Sequence, residues 1–319
     1  MAAVVAAVVV VVVAVVVAAD CPPSIPIHGL GECAPMNTVP KSIHSNLPVL
    51  GVGMGYRNFY RNHTIPSAEH IDFLEITADH FLGDSREQSQ QLDRLQETFT
   101  LIPHGLNLSL GSAEGLNRPY LRQLRNLVRR VAPPWWSEHI SFTQAAGVEI
   151  GHLSPTPFNE AALKVLTENI SVAQEEIEVP LILENITYPL RLPWNTLREE
   201  EFLLQLLEKT GCGLLLDVTN LYINSTTHGY DPIALLKTLP SDKVVQLHFV
   251  GYQLIKDELV DNHSQPTNDG IWNLLETVLE MFPVKGAILE RDGNFPTMNG
   301  IIDELARLRK IGRAKSRWN

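Results

Sequence analysis

Eight short apolar runs recur along the chain from Pro48 onward, and nothing else in the sequence limits the fold as tightly. They are VLGVGM (49–54), IDFLEIT (71–77), FTLIPHG (99–105), WWSEHISF (135–142), PLILENI (180–186), GLLLDVT (213–219), KVVQLHF (243–249) and GAILER (286–291). A continuous apolar run of this length reads as a strand buried on both faces. Between most of them lie segments with helical spacing. Leu92, Leu95 and Phe99 mark one; Leu121, Leu124, Leu127 and Val128 a second; Ala162, Val165, Leu166 and Ile170 a third. Leu203, Leu204, Leu206 and Leu207 mark a fourth, Leu274, Leu275, Val278 and Leu279 a fifth, and Ile301 to Leu308 closes the chain. Strands alternating with helices imply parallel pairing through right-handed crossovers. Eight such units in roughly 250 residues make a (β/α)8 TIM barrel of the α/β class. A doubly wound sheet competes, but GVGMGYR (51–57) lacks the GxGxxG spacing such folds use after their first strand.

In a barrel of this kind the chemistry sits where the strands end. Here the runs end in polar groups: Glu75, His104, Glu138 with His139, Glu184 with Asn185, Asp217 with Asn220, His248, and Glu290 with Asp292. Asp261 and His263 lie on the loop after the seventh strand, and their i, i+2 spacing puts both on one side of an extended segment. Taken singly, each has a structural reading: a strand-end His satisfied by the backbone, or a buried Glu met by an Arg. Together they place several carboxylates at one rim, which costs free energy through desolvation and like-charge repulsion. Most arginines lie in the helical segments, so cations are expected at the mouth. Imidazole and carboxylate without thiolate suit iron, manganese or zinc. So many candidate ligands point to two or three ions, with Glu184, central in the strand order, as the bridge.

The formal net charge of -11 and the absence of a long basic run argue against nucleic-acid binding. Arg307 to Arg317 reads as a helix end and a solvated tail. Of three cysteines, Cys212 sits in an apolar run, while Cys21 and Cys33 could pair only in an exported protein; no CxxC occurs, which speaks against a thiolate zinc site. The first nineteen residues are nearly pure Ala and Val, long enough to span a bilayer, but no Lys or Arg precedes them. The sequon Asn185-Ile-Thr187 falls where the site is expected. Residues 1–45 are read as a low-complexity or targeting extension, 46–312 as the catalytic barrel and 313–319 as a tail. A cytoplasmic enzyme is expected, with membrane contact only if residues 1–19 form a real segment.

Taken in order, IPHGLNLSLGS (102–112), SEHISF (137–142), GHLSPTPFNEAAL (151–163), LENI (183–186), LLLDVTNLYINSTTHGYDP (214–232), QLHFVGY (246–252), DNHSQPTNDGIW (261–272) and LERD (289–292) resemble the multinuclear non-haem iron-dependent oxidase family, which includes the oxidase of methanobactin biosynthesis. The similarity runs from about Leu50 to about Leu308. It implies a TIM barrel holding two or three iron ions, both ferrous and ferric. Dioxygen is the oxidant, the substrate is a ribosomally made peptide modified often at cysteine, and a small partner protein often delivers it. By position, the ligands would be His104, His139, Glu184, Asp217 or Asn220, His248, Asp261, His263 and Glu290, with Glu184, His104 and Asp261 closest to the chemistry. Arg57, Glu75, Glu138, Asn185, His228 and Asp292 are expected to support ligands or meet substrate. The sequence departs from the family at Asp79-His80, Tyr252 and Arg291, each a possible change in the substrate pocket. A zinc or manganese isomerase or hydrolase on a xylose-isomerase-like barrel is the alternative the same rim allows. A metal-binding scaffold without catalysis ranks behind both.

Overall fold

The computed structural model describes residues 46–318. Its eight central strands are β1 (Gly51–Gly55), β2 (Phe73–Thr77), β3 (Thr100–His104), β4 (Trp136–His139), β5 (Leu181–Glu184), β6 (Gly213–Asp217), β7 (Val244–Phe249) and β8 (Gly286–Leu289). They pair in parallel and in sequence order, and β1 pairs with β8 to close the barrel. Each expected apolar run holds one of these strands. The helices are α1 (Arg86–Gln96), α2 (Arg118–Val131), α3 (Glu160–Glu176), α4 (Glu199–Thr210), α5 (Val218–His228), α6 (Pro232–Leu236), α7 (Asp269–Met281) and α8 (Met298–Ala314). Side chains of Ser85, Asn117, Asn159, Asp217 and Thr297 cap helix N-termini.

Alternation along the strands divides the sheet into two sides. Leu74, Ile76, Leu101, Leu181, Leu183, Leu214, Leu216, Leu247, Phe249 and Leu289 belong to the large core that also takes in the helices. Phe73, Ile102, Trp135, Ile182, Leu215, Val245 and Ile288 form a separate apolar cluster. These come from seven successive strand regions and so fill the barrel interior. Two residues onward from most of them stand Glu75, His104, Glu184, Asp217 and Glu290, all buried. The interior thus has an apolar floor and, one pleat higher, a polar ceiling facing the C-terminal mouth. A register shift between β6 and β7 brings Gln246 and His248 into the same inward phase.

β1 contributes no interior side chain, and the reason is steric. A Cβ on Gly53 would lie 2.2 Å from the Phe73 carbonyl oxygen and 2.9 Å from Phe73 Cδ1. The Gly53→Ala variant is expected to lose about 1–3 kcal/mol of stability through overpacking of the floor. Urea unfolding measures it; an unchanged midpoint would show that the floor has slack.

The β1–β2 connection, where the sequence shows no helical spacing, carries only short 3₁₀ turns, Asn58–Tyr60 and Ile65–His70. Three features differ from expectation. Two antiparallel hairpins, Ser141–Ala145 with Val148–Pro155 and Gly251–Ile255 with Glu258–Gln265, leave the barrel after β4 and β7. Asp261 and His263 therefore sit on a strand, not on an irregular loop. The C-terminal residues are not a solvated tail: Trp318 is buried in the main core, and Arg317 donates to the Leu279 and Glu280 carbonyls at the end of α7. Among the described residues no helix is long and apolar enough to cross a membrane. The Ala/Val run, Cys21 and Cys33 lie outside the described residues. Cys212 is buried as expected, and burial pushes its thiol up to about 12.

Candidate metal centre

β5 ends in a carboxylate and an amide because the two side chains do different work. Glu184 turns into the barrel. Its Oε2 lies 3.3 Å from His104 Nε2 and 3.3 Å from His139 Nε2, while its Oε1 lies 3.3 Å from His248 Nδ1. Asn185 instead reaches β6, accepting from the Asp217 backbone N–H at 2.9 Å and donating to the Asp217 carbonyl at 3.0 Å. It extends the strand pairing through a side chain and fixes Asp217 beside Glu184.

Each imidazole is oriented by a partner on its far nitrogen. His104 Nδ1 meets Ser137 Oγ at 2.8 Å, and His139 Nδ1 meets the Gly105 carbonyl at 3.1 Å. His248 Nε2 meets Glu75 Oε1 at 2.8 Å. Glu138 holds His139 from below by accepting its backbone N–H, and accepts the Leu108 N–H with its other oxygen. At the outer edge, His263 lies between Asp261 Oδ1, 2.8 Å from Nε2, and Asp292 Oδ2, 3.1 Å from Nδ1. Its backbone takes the left-handed conformation, φ 49°, a strain that persists only where the surroundings impose it. Glu290 links the inner and outer parts: its Oε2 is 3.0 Å from His248 Nδ1 and 3.5 Å from His263 Nδ1.

Ligand-type atoms of these residues gather in four overlapping groups: His104, His139 and Glu184; Glu184, Asp217, His248 and Glu290; Glu75, His104 and Glu290; and His263, Glu290 and Asp292. The inward atoms of these groups are buried yet make no hydrogen bond of acceptable geometry: His104 Nε2, Glu184 Oε2, His248 Nδ1 and Asp217 Oδ2; Asn220 Oδ1 is likewise buried and unpaired. Buried polar atoms are normally paired, so an inward-facing set of unpaired nitrogens and oxygens fits a bound cation.

Proton affinities reflect the crowding. Burial would raise the Glu184 carboxyl, but His248, His139 and His104 hold it below its ordinary value. Glu290 is held well below, against burial, by His248, His263 and Arg57. Burial, with Glu184 adding to it, pushes Asp217 up to about 7. Burial would lower the His139 imidazole, yet Glu184 and Glu138 push it up to about 9.

Several expected roles need correction. Arg57 does reach the rim, but it is committed there rather than free for substrate. Its guanidinium pairs with Asp292 and, at 3.1 Å, with Glu290. The missing Cβ of Gly55 leaves it room, since a Cβ there would come within 2.8 Å of Nη1. His228 ends α5, where its ring stacks on Tyr188 and meets the Tyr188 carbonyl, and it joins none of the four groups. Asp261 contacts His263 but joins none of them either. Asp292 and Glu75, expected only as supports, each stand within one. Asn220 spends its amide N–H on the Asn185 carbonyl and receives the Asp217 cap on its own N–H. Of the departures, Asp79 anchors the loop after β3 through Leu106, Asn107 and Tyr120, Arg291 pairs with Glu304 of α8, and Tyr252 stacks on Tyr222. Ser137 and Gln246 were not anticipated. Both stand two residues before a site histidine on the same strand, a spacing that marks an inward-facing position.

Comparisons with known proteins agree with this fold. Residues 51–313 match the family described as RiPP precursor modification enzyme MbnB/TglH/ChrH. A UPF0276 protein of Caulobacter vibrioides is 34% identical over 272 residues, covering 85% of this chain and 95% of that one. A UPF0276 protein of Shewanella oneidensis is 35% identical over 270 residues, covering 83% and 95%. Among solved structures, a xylose isomerase domain protein from Planctomyces limnophilus superimposes with a TM-score of 0.56 at 14% identity, over 85% of this chain and all of that one, a likeness of fold alone. With most of the barrel matched by its profile and a third of its residues shared with relatives of nearly the same extent, the chain belongs to the MbnB/TglH/ChrH family of RiPP precursor modification enzymes.

Proposed function

We propose that the protein is a multinuclear non-haem iron oxidase that uses dioxygen to modify a ribosomally made peptide, at cysteine. The observation that carries this reading is the division of Glu184, one oxygen toward His104 and His139 and the other toward His248. A carboxylate whose two oxygens face separate imidazole sets is built to join two ions. His104, His139 and Glu184 would hold one; Glu184, Asp217, His248 and Glu290 a second; His263, Glu290 and Asp292 suit a third. The donor set is nitrogen and oxygen throughout, which suits iron. Bound iron supplies the electrons that reduce dioxygen and a Lewis acid for a substrate thiol.

The chain's own groups prepare that chemistry. Ser137, Gly105 and Glu75 fix the three inner rings, Arg57 holds Glu290 and Asp292, and the buried floor excludes water from below. Asp261 holds His263 Nε2 through Oδ1 at 2.8 Å, and its side chain, 20% exposed at the more open edge, would meet the substrate. Family membership supplies the peptide substrate; a small delivery partner belongs to this proposal.

Elemental analysis and Mössbauer spectroscopy of protein purified without added metal test it, together with oxygen uptake on addition of a cysteine-bearing precursor peptide. Iron in ferrous and ferric forms and peptide-dependent uptake are expected. Zinc or manganese with no oxygen dependence would move the protein to the isomerase or hydrolase reading. In the same assay, His263→Asn, whose side chain tolerates the left-handed backbone, should lose the outermost ion while the metal-free melting temperature moves by only a few degrees. Full metal content in that variant would make His263 a structural residue.

A further inference from the structure

We infer that Trp135, Gln246 and Glu75 form a buried relay that decides which ring nitrogen His248 presents to the metal centre, with Gln246 as its positioning residue. The inference rests on the metal reading above and centres on Trp135 and Gln246, which belong to none of the four ligand groups. Gln246 is fully buried in the run VVQLHF, where a strand facing an apolar floor has every reason to be apolar. An unpaired amide there would cost on the order of 1–3 kcal/mol, so its retention needs a use for both ends.

Both ends are used, and chemistry fixes the direction. An indole N–H only donates, so the atom that meets Trp135 Nε1 at 2.8 Å must be the amide oxygen, Oε1. Nε2 is thereby turned to Glu75 and donates to its Oε2 at 2.6 Å. A carboxylate accepts, so the short contacts of His248 Nε2 with Glu75, 2.8 Å to Oε1 and 2.9 Å to Oε2, hold a proton on Nε2. Nδ1 faces the carboxylates of Glu184 at 3.3 Å and Glu290 at 3.0 Å without a hydrogen bond of acceptable geometry, so it is the nitrogen that a cation held by those two groups would take. The relay begins in the apolar floor, where Trp135 is wedged among Phe73, Ile182 and Leu215, and ends one pleat higher at a ligand atom. Removing Gln246 frees Glu75 to rotate and leaves His248 without a fixed acceptor.

The test compares Gln246→Leu and Trp135→Phe with the parent protein. Co(II) is titrated against a competing chelator while the ligand-field spectrum is recorded. In the metal-free protein, the slowly exchanging ring N–H of His248 is followed by NMR. Partners of this kind typically contribute about 10–100-fold in metal affinity. Gln246→Leu is expected to weaken one Co(II) site by that factor, alter its spectrum and broaden the His248 N–H signal. Trp135→Phe, which keeps an aromatic ring but drops the donor, should shift all three readouts in the same direction by less. If both variants bind Co(II) within twofold of the parent, with an unchanged spectrum and N–H signal, the relay is only structural and the inference falls, even if the melting temperature drops. If the parent takes up no Co(II), the metal reading falls with it, and the two failures are told apart by that control.

Discussion

A Glu184→Gln variant folds as the parent does and carries at least one metal ion fewer. The substitution keeps volume and shape at a fully interior position, so packing of the floor beneath is untouched. What changes is one charge and one donor atom. In the parent, the two carboxylate oxygens would serve different ions on the proposed reading, and the three imidazoles at 3.3 Å all face oxygen. In the variant, one of those faces becomes an NH2 group that cannot donate a lone pair to a cation. Either the pair His104 and His139 or the group around His248 then lacks its bridging ligand. The circular dichroism spectrum should match the parent's, metal analysis should show the deficit, and peptide-dependent oxygen uptake should fall by orders of magnitude. Full occupancy in the variant would remove the bridging role and with it the main support for a multinuclear centre.

Most of the barrel and the inner part of this site could be read from residues alone, and the reason is periodicity. Strands buried on both faces must be apolar twice over, so LIL before Glu184 and LLL before Asp217 stood out, and the polar residue ending each run fell at the mouth. What escaped detection lacked that signal. α5 buries Thr219, Asn220, Asn224 and Ser225 among Val218, Leu221 and Ile223, which breaks up its apolar stripe, because it lies against the site and its side chains bond the ends of neighbouring strands. The two hairpins are partly exposed ribbons with mixed residues, such as VEIGHLSP and ELVDNHSQ, whose pairing is set by tertiary position. Gln246 was visible in principle, since a polar residue two positions before His248 shares its inward face. The partners of Arg57 could not be read, because its reach across to Glu290 and Asp292 depends on the space that Gly55 leaves.

The metal-free and loaded proteins should respond to pH in opposite senses. Burial would lower the His139 imidazole, yet Glu184 and Glu138 hold it at about 9 in the folded state against an ordinary 6.5. The stability from that proton is fully present below about 6.5 and lost as pH rises through about 9. Asp217 sits at about 7, raised by burial and then by Glu184 from an ordinary 3.8, so the stability from its retained proton is fully present below about 3.8 and lost as pH rises through about 7. Glu184 and Glu290, held below their ordinary 4.5 by the surrounding imidazoles despite burial, contribute stability above that value and lose it in acid. The metal-free protein is therefore most stable at about pH 4.5 and should weaken by a few kcal/mol towards pH 9. Bound ions reverse this, because they replace the protons that His139 and Asp217 otherwise carry, and ligands bind metal in their deprotonated forms. Saturating metal stabilises the folded state in proportion to how far its concentration exceeds the dissociation constant, and that excess grows with pH. Melting curves recorded anaerobically at pH 6, 7.5 and 9, with and without metal, should therefore diverge steadily. Two parallel curves, or a metal-free protein that is more stable at pH 9 than at pH 6, would mean that the imidazoles and carboxylates at the mouth are not held together in the way their distances indicate.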